Sequence, residues 1–512
     1  MSQTLVHLLA DTYVDSVRLM AATRAMASAP GVDRAFALMA TPANVAVLGG
    51  EGFADPSLAS ARANDLVLAV RAQTTAGARA ALDEGAAMFD RDARHATGEA
   101  ERPRTLEGAV ELLPDANVAI VSVPGELAAL ETHKALSAGM HVLLFSDNVD
   151  VATEVELKER AAELGLLVMG PGAGTAMLGG IGLGFANAVP RGPIGIVAAA
   201  GTGAQEVMSL IARWGSGVAE AIAIGGRDLS EPIGGRMAAL ALRALHADPA
   251  VEVVVVVSKP PSPAVASRLV EQLGAKPAVV ALIGFEGTLE VPEGVRVART
   301  LQEGALLAIE EVGLARPRPS PGLRDEVAAA ASRMPEARTA VRGLFSGGTL
   351  CYESMVVLAG LLGPVHSNTP LRKGWGLPAP PGAHICLDLG EEEFTRGRPH
   401  PMIDPAARTE RILEQARDPS TAVILLDVVL GYGAHEDPAS VLAPTCEEIA
   451  ASADGPVVVA YVLGTDGDPQ GFRAQCERLG SAGCLIAPTG ARSALMAAAI
   501  ASRRPELAEA AP

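Results

Sequence analysis

The sequence predicts an α/β protein built on parallel sheets, and three observations carry that expectation. Short apolar runs alternate with stretches of helical periodicity along most of the chain. Several runs, such as VVVVVS at 253–258, are continuous and β-branched, as strands buried on both faces require. Hydrophobic residues make up 49% of 512, enough for several cores and more than one core can organise.

The first hundred residues give strands at TLVHLL, VDRAFALM and DLVLAVR, with helices around 13–28 and 74–89. They form a small α/β unit, 1–100, without a glycine fingerprint after its first strand. DRDARHATGEAERPRT at 90–105 is polar and aperiodic and reads as a loop or boundary. A regular alternation follows. NVAIVSV (117–123), MHVLLFS (140–146) and LGLLVMG (164–170) define a unit at 105–190. GPIGIVAAA (192–200), AEAIAIGG (219–226), VEVVVVVS (251–258) and AVVALIG (278–284) define another at 191–310. Residues 311–340, with RPRPSPG, read as an exposed linker carrying at most one short helix, because proline breaks regular structure. A third unit, 341–500, holds AVRGLFS, HICLDLG, TAVILLDVV, PVVVAYVLG and GCLIAP.

Composition excludes several classes. A net charge of −18 without a long basic run argues against a nucleic-acid partner, as does an aromatic content of 3%. No stretch of ~18 uncharged apolar residues suggests a membrane span, and the N-terminus lacks the pattern of a signal peptide. Cys351, Cys386, Cys446, Cys476 and Cys484 show no metal-binding spacing and read as reduced thiols of a cytoplasmic protein. No metal site is expected.

Two glycine turns stand out. GIVAAAGTGAQE (195–206) runs from a strand through Gly201, Thr202 and Gly203 into a helix. Val207, Leu210, Ile211 and Trp214 share one face of that helix, and Gly215 follows as its stop. GLFSGGTLCYE (343–353) repeats the pattern through Ser346, Gly347, Gly348 and Thr349. A third turn, Gly431-Tyr432-Gly433, follows TAVILLDVV. A helix N-terminus presents unpaired N–H groups and a partial positive charge, so each turn suits phosphate or carboxylate. Each glycine equally suits a tight turn that binds nothing.

The residues then carry a family resemblance. Residues 105–175, ending in MGPGAGTAML, resemble the late part of the CoA-binding domain of the succinyl-CoA synthetase α subunit. IGIVAAAGTGAQEV, AIAIGGRDL and LHADPAVEVVVVV are similar to that subunit's next domain. Residues 341–495 resemble instead the C-terminal ligase domain of the β subunit. This order of parts, with YVDSVRLM (13–20) and GLFSGGTLCYES, is similar to the FdrA family. The resemblance implies a Rossmann-like CoA-binding-type domain and two flavodoxin-like ligase domains after the small N-terminal domain. It implies one phosphate held between two helix N-termini, one from each ligase domain. CoA, phosphate or carbamoyl phosphate are the implied ligands. An FdrA-type partner subunit and carbamate kinase are the implied protein partners.

The departures are as specific. The family's early glycine turn is absent, and AVVALIG continues as FEGTLEVPEG without the phosphohistidine. No ATP-grasp domain is present. The leading expectation is therefore carbamoyl or acyl transfer to or from phosphate, as in oxalurate or oxamate carbamoyltransfer of purine degradation. A CoA-thioester synthetase subunit and a non-catalytic CoA- or nucleotide-binding scaffold are the alternatives. Phosphate falls to Gly201, Thr202, Gly203, Ser346, Gly347, Gly348, Thr349, Gly431 and Gly433. Substrate or CoA falls to Pro171, Gly172, Gly225, Gly226 and Asp228, the last equally a turn or cap residue. Arg227 is either an anion ligand or an exposed loop arginine. His366 and His435, beside glycine turns, are acid–base candidates or plain surface histidines. Asp404, opening a helix in MIDPAAR, reads as an N-cap.

Overall fold

The computed structural model describes residues 3–511 except 11, 13, 15, 96–102, 104, 319–320, 396–398 and 453. The chain forms two compact units, one of residues 1–105 with 396–399 and one of the remainder.

The first unit contains β1 (Gln3–Leu9), α1 (Ser16–Ala27), β2 (Val32–Met39), α2 (Pro42–Gly50), β3 (Leu66–Ala72) and α3 (Thr75–His95). Its sheet is antiparallel in the order β1-β3-β2. The central strand alternates. Leu66, Leu68, Val70 and Ala72 pack with Ala22, Met26, Ala78 and Ala81, while Val67 and Ala69 meet Leu48, Phe53 and Leu58. The loop expected at 90–105 is helical as far as His95, and most of its remainder lies outside the described residues.

The second unit opens with α4 (Leu106–Leu112), β4 (Val118–Val121), α5 (Gly125–Ser137), β5 (His141–Leu144), α6 (Val151–Leu164) and β6 (Val168–Met169), a parallel three-stranded sheet. β7 (Thr175–Leu178) and β8 (Ile181–Gly184) form a hairpin. Then follow β9 (Ile194–Ala198), α7 (Gly201–Arg213), β10 (Val218–Ala223), α8 (Arg236–Ala247), β11 (Val253–Ser258), α9 (Pro263–Val270), β12 (Ala278–Leu282), β13 (Val295–Ala298) and α10 (Leu301–Glu311). The sheet order is β13-β12-β11-β9-β10-β7-β8. The hairpin pairs antiparallel with β10, so residues 175–184 join this sheet rather than the unit expected at 105–190. Register through Met177 and Ala221, both buried, decides that pairing.

The last part holds α11 (Leu323–Arg333), β14 (Ala340–Phe345), α12 (Gly348–Leu362), β15 (Val365–His366), β16 (His384–Asp388), α13 (Glu392–Thr395), α14 (Thr409–Arg417), β17 (Thr421–Val429), α15 (Pro438–Ala450), β18 (Val457–Leu463), α16 (Phe472–Ser481), β19 (Leu485–Ala487) and α17 (Gly490–Ser502). Its parallel sheet runs β15-β16-β14-β17-β18-β19. The stretch expected as an exposed linker is not one throughout. Leu323, Val327 and Ala330 of α11 are buried in the core that joins the two large sheets. An alanine-rich helix packs closely because its side chains are short, and proline flanks it without entering it.

Candidate functional site

β9 and β14 each end in a tight turn that opens directly into a helix, α7 and α12. Neither helix has a side-chain N-cap. The two N-termini meet. Thr349 N–H donates to Thr202 Oγ1 at 3.2 Å across 147 positions. A Cβ on Gly203 would stand 3.0 Å from Thr349 Cγ2, and one on Gly347 would stand 3.0 Å from Thr202 Cγ2. A side chain at either position would press on the threonine of the facing turn. The N–H groups of Gly201, Thr202, Gly203, Gly348 and Leu350 have no acceptor among the described residues. Two helix ends thus aim their positive poles at one spot.

The second turn also carries an internal anion. Asp427, in the middle of buried β17, accepts from Ser346 N and Gly347 N, both at 2.7 Å, and from Ser346 Oγ at 3.0 Å. Arg408 Nη1 pairs with the same carboxylate at 2.9 Å and reaches the carbonyl oxygens of Leu344 and Asp427. Ser346 and Gly347, expected to hold phosphate, spend their donors on Asp427. Only the Gly348–Leu350 side of this turn remains open. Both members of the Asp427–Arg408 pair are buried. Breaking such a pair strands a charge. Asp427→Ala is therefore expected to lower unfolding free energy by about 3–5 kcal/mol. Urea denaturation checks it, and a change within ~1 kcal/mol would contradict it.

Three further groups face the junction. Asp388, at the end of β16, sits so close to Gly348 that a Cβ there would collide with its Oδ2. Burial raises its carboxyl to about 6, against the pull of Lys259 and with support from Glu391 and Asp427. His400 Nδ1 accepts from Met402 N at 3.2 Å, so its proton sits on Nε2. Burial lowers this ring to about 4 and keeps it neutral at pH 7. Lys259 follows β11, with Nζ 5.7 Å from the centre of the Tyr352 ring. The sequence reading missed all three. Asp388, inside HICLDLG, and Lys259, after VVVVVS, each carried a signal: a charged residue at the carboxyl end of an otherwise apolar strand.

The other expected residues divide. Gly225 packs on the turn at Pro171 and Gly172: its Cβ would stand 2.5 Å from Gly170 O, while Gly226 lies near Ala199 O. Asp228 is buried and accepts from Lys158 at 2.9 Å and from the N–H groups of Met237 and Ala238 at the start of α8. It serves as a cap and an ion-pair partner. Arg227 binds Glu154 at 2.8 Å and Val149 O, so its guanidinium is committed to α6 and the loop before it. His366 Nδ1 lies 3.1 Å from Gly376 O. His435 Nδ1 accepts from Asp437 N at 3.0 Å. Both rings are buried, which corrects the surface reading and ties them to local loops. At the third turn Gly431 N donates to Gln470 and Tyr432 N to Ala186 O. Gly431 therefore lacks a free donor, and α15 starts later, under the Asp437 cap. Asp404 caps a short helical turn through Ala406 N at 3.1 Å.

β4 is an edge strand of its three-stranded sheet, and the turn after it, at Pro124 and Gly125, packs directly on the Asp147 carbonyl. Among the described residues no group of three or more His, Cys, Asp or Glu side chains is placed to hold a metal. No helix among them is long and apolar enough to cross a membrane.

Residues 344–500 match the family described as CoA-ligase, and residues 1–105 match one described as "AllF, heavy metal-associated domain". YahF of Escherichia coli (strain K12) is 40% identical over 497 residues, covering 95% of this chain and 96% of that protein. The chain belongs to the YahF family. The CoA-ligase match lies within this relationship and covers residues 344–500 of the chain. A second relative is the ADP-forming sulfoacetate-CoA ligase subunit SauD of Bilophila wadsworthia (strain 3_1_6), 27% identical over 189 residues. That match spans 36% of this chain and 63% of SauD. Among solved structures, ATP citrate lyase from Methanothrix soehngenii with citrate and coenzyme A has a TM-score of 0.31 at 20% identity, over 43% of this chain and 39% of that one. The dinucleotide-forming acetyl-coenzyme A synthetase 1 of Ca. Korarchaeum cryptofilum has a TM-score of 0.25 at 17% identity, over 78% and 86%. The metal-associated name of the N-terminal family meets no cysteine here, since all five lie at 351 or beyond.

Proposed function

We propose that this chain is an FdrA-type, CoA-ligase-like subunit that holds the phosphoryl group of an acyl phosphate between the N-termini of α7 and α12. The observation that carries the reading is the Thr349–Thr202 hydrogen bond, which joins two uncapped helix ends. The N–H groups of Gly201–Gly203, Gly348 and Leu350 would take the phosphoryl oxygens, and Lys259 would neutralise them. As an acceptor's electron pair forms its bond to the acyl carbon, the carbon–oxygen bond to phosphate breaks. The leaving phosphate then gains negative charge where these donors already point. Asp388, titrating near 6, is suited to exchange a proton there close to neutral pH.

The similarity to an ADP-forming CoA ligase subunit supports a thiol acceptor supplied in a hetero-oligomer, with nucleotide chemistry on a partner chain. Carbamoyl phosphate as the acyl phosphate is the second reading. The absence of histidine from residues 283–300 favours it, because no phosphorylated side chain is then interposed. Carbamate kinase would be the partner in that case.

Exchange of labelled phosphate into acyl phosphates, by the chain with its partner subunit, tests both readings. CoA-dependent exchange into acetyl phosphate supports the ligase reading. Exchange into carbamoyl phosphate that requires oxamate as carbamoyl acceptor and not CoA supports the second. Exchange into neither, with phosphate failing to bind, would sink the proposal.

A further inference from the structure

A cleft of about 1140 Å³ in the second unit is not used by the site described above. It opens at the carboxyl ends of β11, β12 and β13, where Pro260, Phe285 and Arg299 leave the sheet. Ligands of parallel sheets bind outside those ends. One wall is a face of α12 carrying Tyr352, Val356 and Gly360. Nothing lies within 4 Å of where a Cβ on Gly360 would stand, so helix packing leaves this face open. Trp375 closes another side. The loop after β12, residues 285–294, is also where the sequence departs from the succinyl-CoA synthetase pattern.

The walls have a definite chemistry. Phe285, Tyr352 and Trp375 meet here in a chain only 3% aromatic. The Arg299 side chain is exposed and has no acceptor among the described residues. Arg372 lies over the Trp375 ring at 5.1 Å and pairs with exposed Glu286 at 3.0 Å. Lys259 lies over the Tyr352 ring, so this ring borders both the cleft and the helix junction. In a protein of net charge −18, cations lining an aromatic cleft select for a local anion.

We propose that this cleft binds the organic body of the acyl phosphate, a small anion with a flat amide or conjugated portion. The flat portion lies against Tyr352 and Trp375, a second acidic group faces Arg299, and the phosphoryl end points to Lys259. The proposal rests on the anion-site reading of the helix junction. Aromatic faces hold flat groups by stacking, which adds affinity beyond that of phosphate alone.

Calorimetric titration of the full chain with phenyl phosphate and with inorganic phosphate tests it. Phenyl phosphate is expected to bind roughly tenfold more tightly. Trp375→Leu, a change on a surface turn, should reduce its affinity to that of inorganic phosphate and leave inorganic phosphate binding unchanged. Arg299→Gln, an exposed position, should weaken 4-carboxyphenyl phosphate more than phenyl phosphate. Equal affinity of the wild type for phenyl and inorganic phosphate would overturn the cleft and spare the helix junction. Trp375-dependent binding of phenyl phosphate with no binding of inorganic phosphate would uphold the cleft and overturn the junction. Binding of neither would overturn both.

Discussion

Replacing Gly203 with valine is expected to cost this chain its affinity for phosphate. The new Cβ would stand 3.0 Å from both Thr349 Cγ2 and Val257 Cγ1. Neither neighbour can retreat far, because Thr349 lies in the first turn of α12 and Val257 belongs to β11, which is buried along its whole length. The two helix ends must separate, and the donors that converge on one anion no longer do. Losing one charged hydrogen bond costs about 1.5–3 kcal/mol, roughly ten- to a hundredfold in affinity. Thr202→Val is the milder variant. It keeps the methyl contact with Gly347 and removes the oxygen that accepts from Thr349 N. It should remain folded, lose about 1–3 kcal/mol of stability, and bind phosphate several-fold more weakly. Calorimetry on folded protein, beside melting curves, separates the two losses. Unchanged affinity in both variants would show that these glycine and threonine residues serve only their own turns.

The second large effect is a pH dependence of stability. Glu206 of α7 and Glu353 of α12 are both buried, and each reaches across to the other ligase-type sheet. Glu206 accepts from Gly490 N at 3.1 Å, at the start of α17, and from Tyr461 Oη. Glu353 accepts from Leu301 N at 2.6 Å, at the start of α10, while its Oε2 has no partner among the described residues. Both face Gly490, where a Cβ would stand 3.2 Å from Glu353 Oε2 and 3.4 Å from Glu206 Oε1. Burial, then the nearby Glu206 charge, raises Glu353 from 4.5 to about 8. The folded state therefore holds a proton that the unfolded state releases. Stability should fall as pH rises from about 4.5 to 8 and level off above that. The loss is on the order of 5 kcal/mol. Glu353→Gln keeps the bond from Leu301 N and offers Glu206 an N–H donor. It should match the wild type near pH 5 and exceed it near pH 9. Melting curves across that range check this, and an unchanged slope in the glutamine variant would contradict it.

Much of this arrangement was legible in the sequence because it depends on local pattern. Continuous β-branched runs can only be strands covered on both faces, and β9, β11, β14 and β17 are buried along their whole lengths. The glycine turns announced strand-to-helix junctions at 201 and 348. Their meeting followed from resemblance to a two-domain ligase, since nothing local to either turn names the other. The pairs that hold the junction were illegible for the same reason. Asp427 with Ser346, Glu206 with Gly490 and Glu353 with Leu301 are separated by 81, 284 and 52 positions. A buried charge inside GAQE or LLDVV signals that a partner exists and does not say which. The hairpin at 175–184 was missed because its short, glycine-rich strands lack the apolar run that marked the others.

The most direct test of the shared anion site is a crystal structure of the chain soaked with tungstate, a heavy tetrahedral mimic of phosphate. The account predicts anomalous density between Thr202 and Thr349, within hydrogen-bond distance of Gly203 N and Leu350 N and facing Lys259 Nζ. Density confined to other sites at saturating tungstate, with the two helix ends unoccupied, would contradict it.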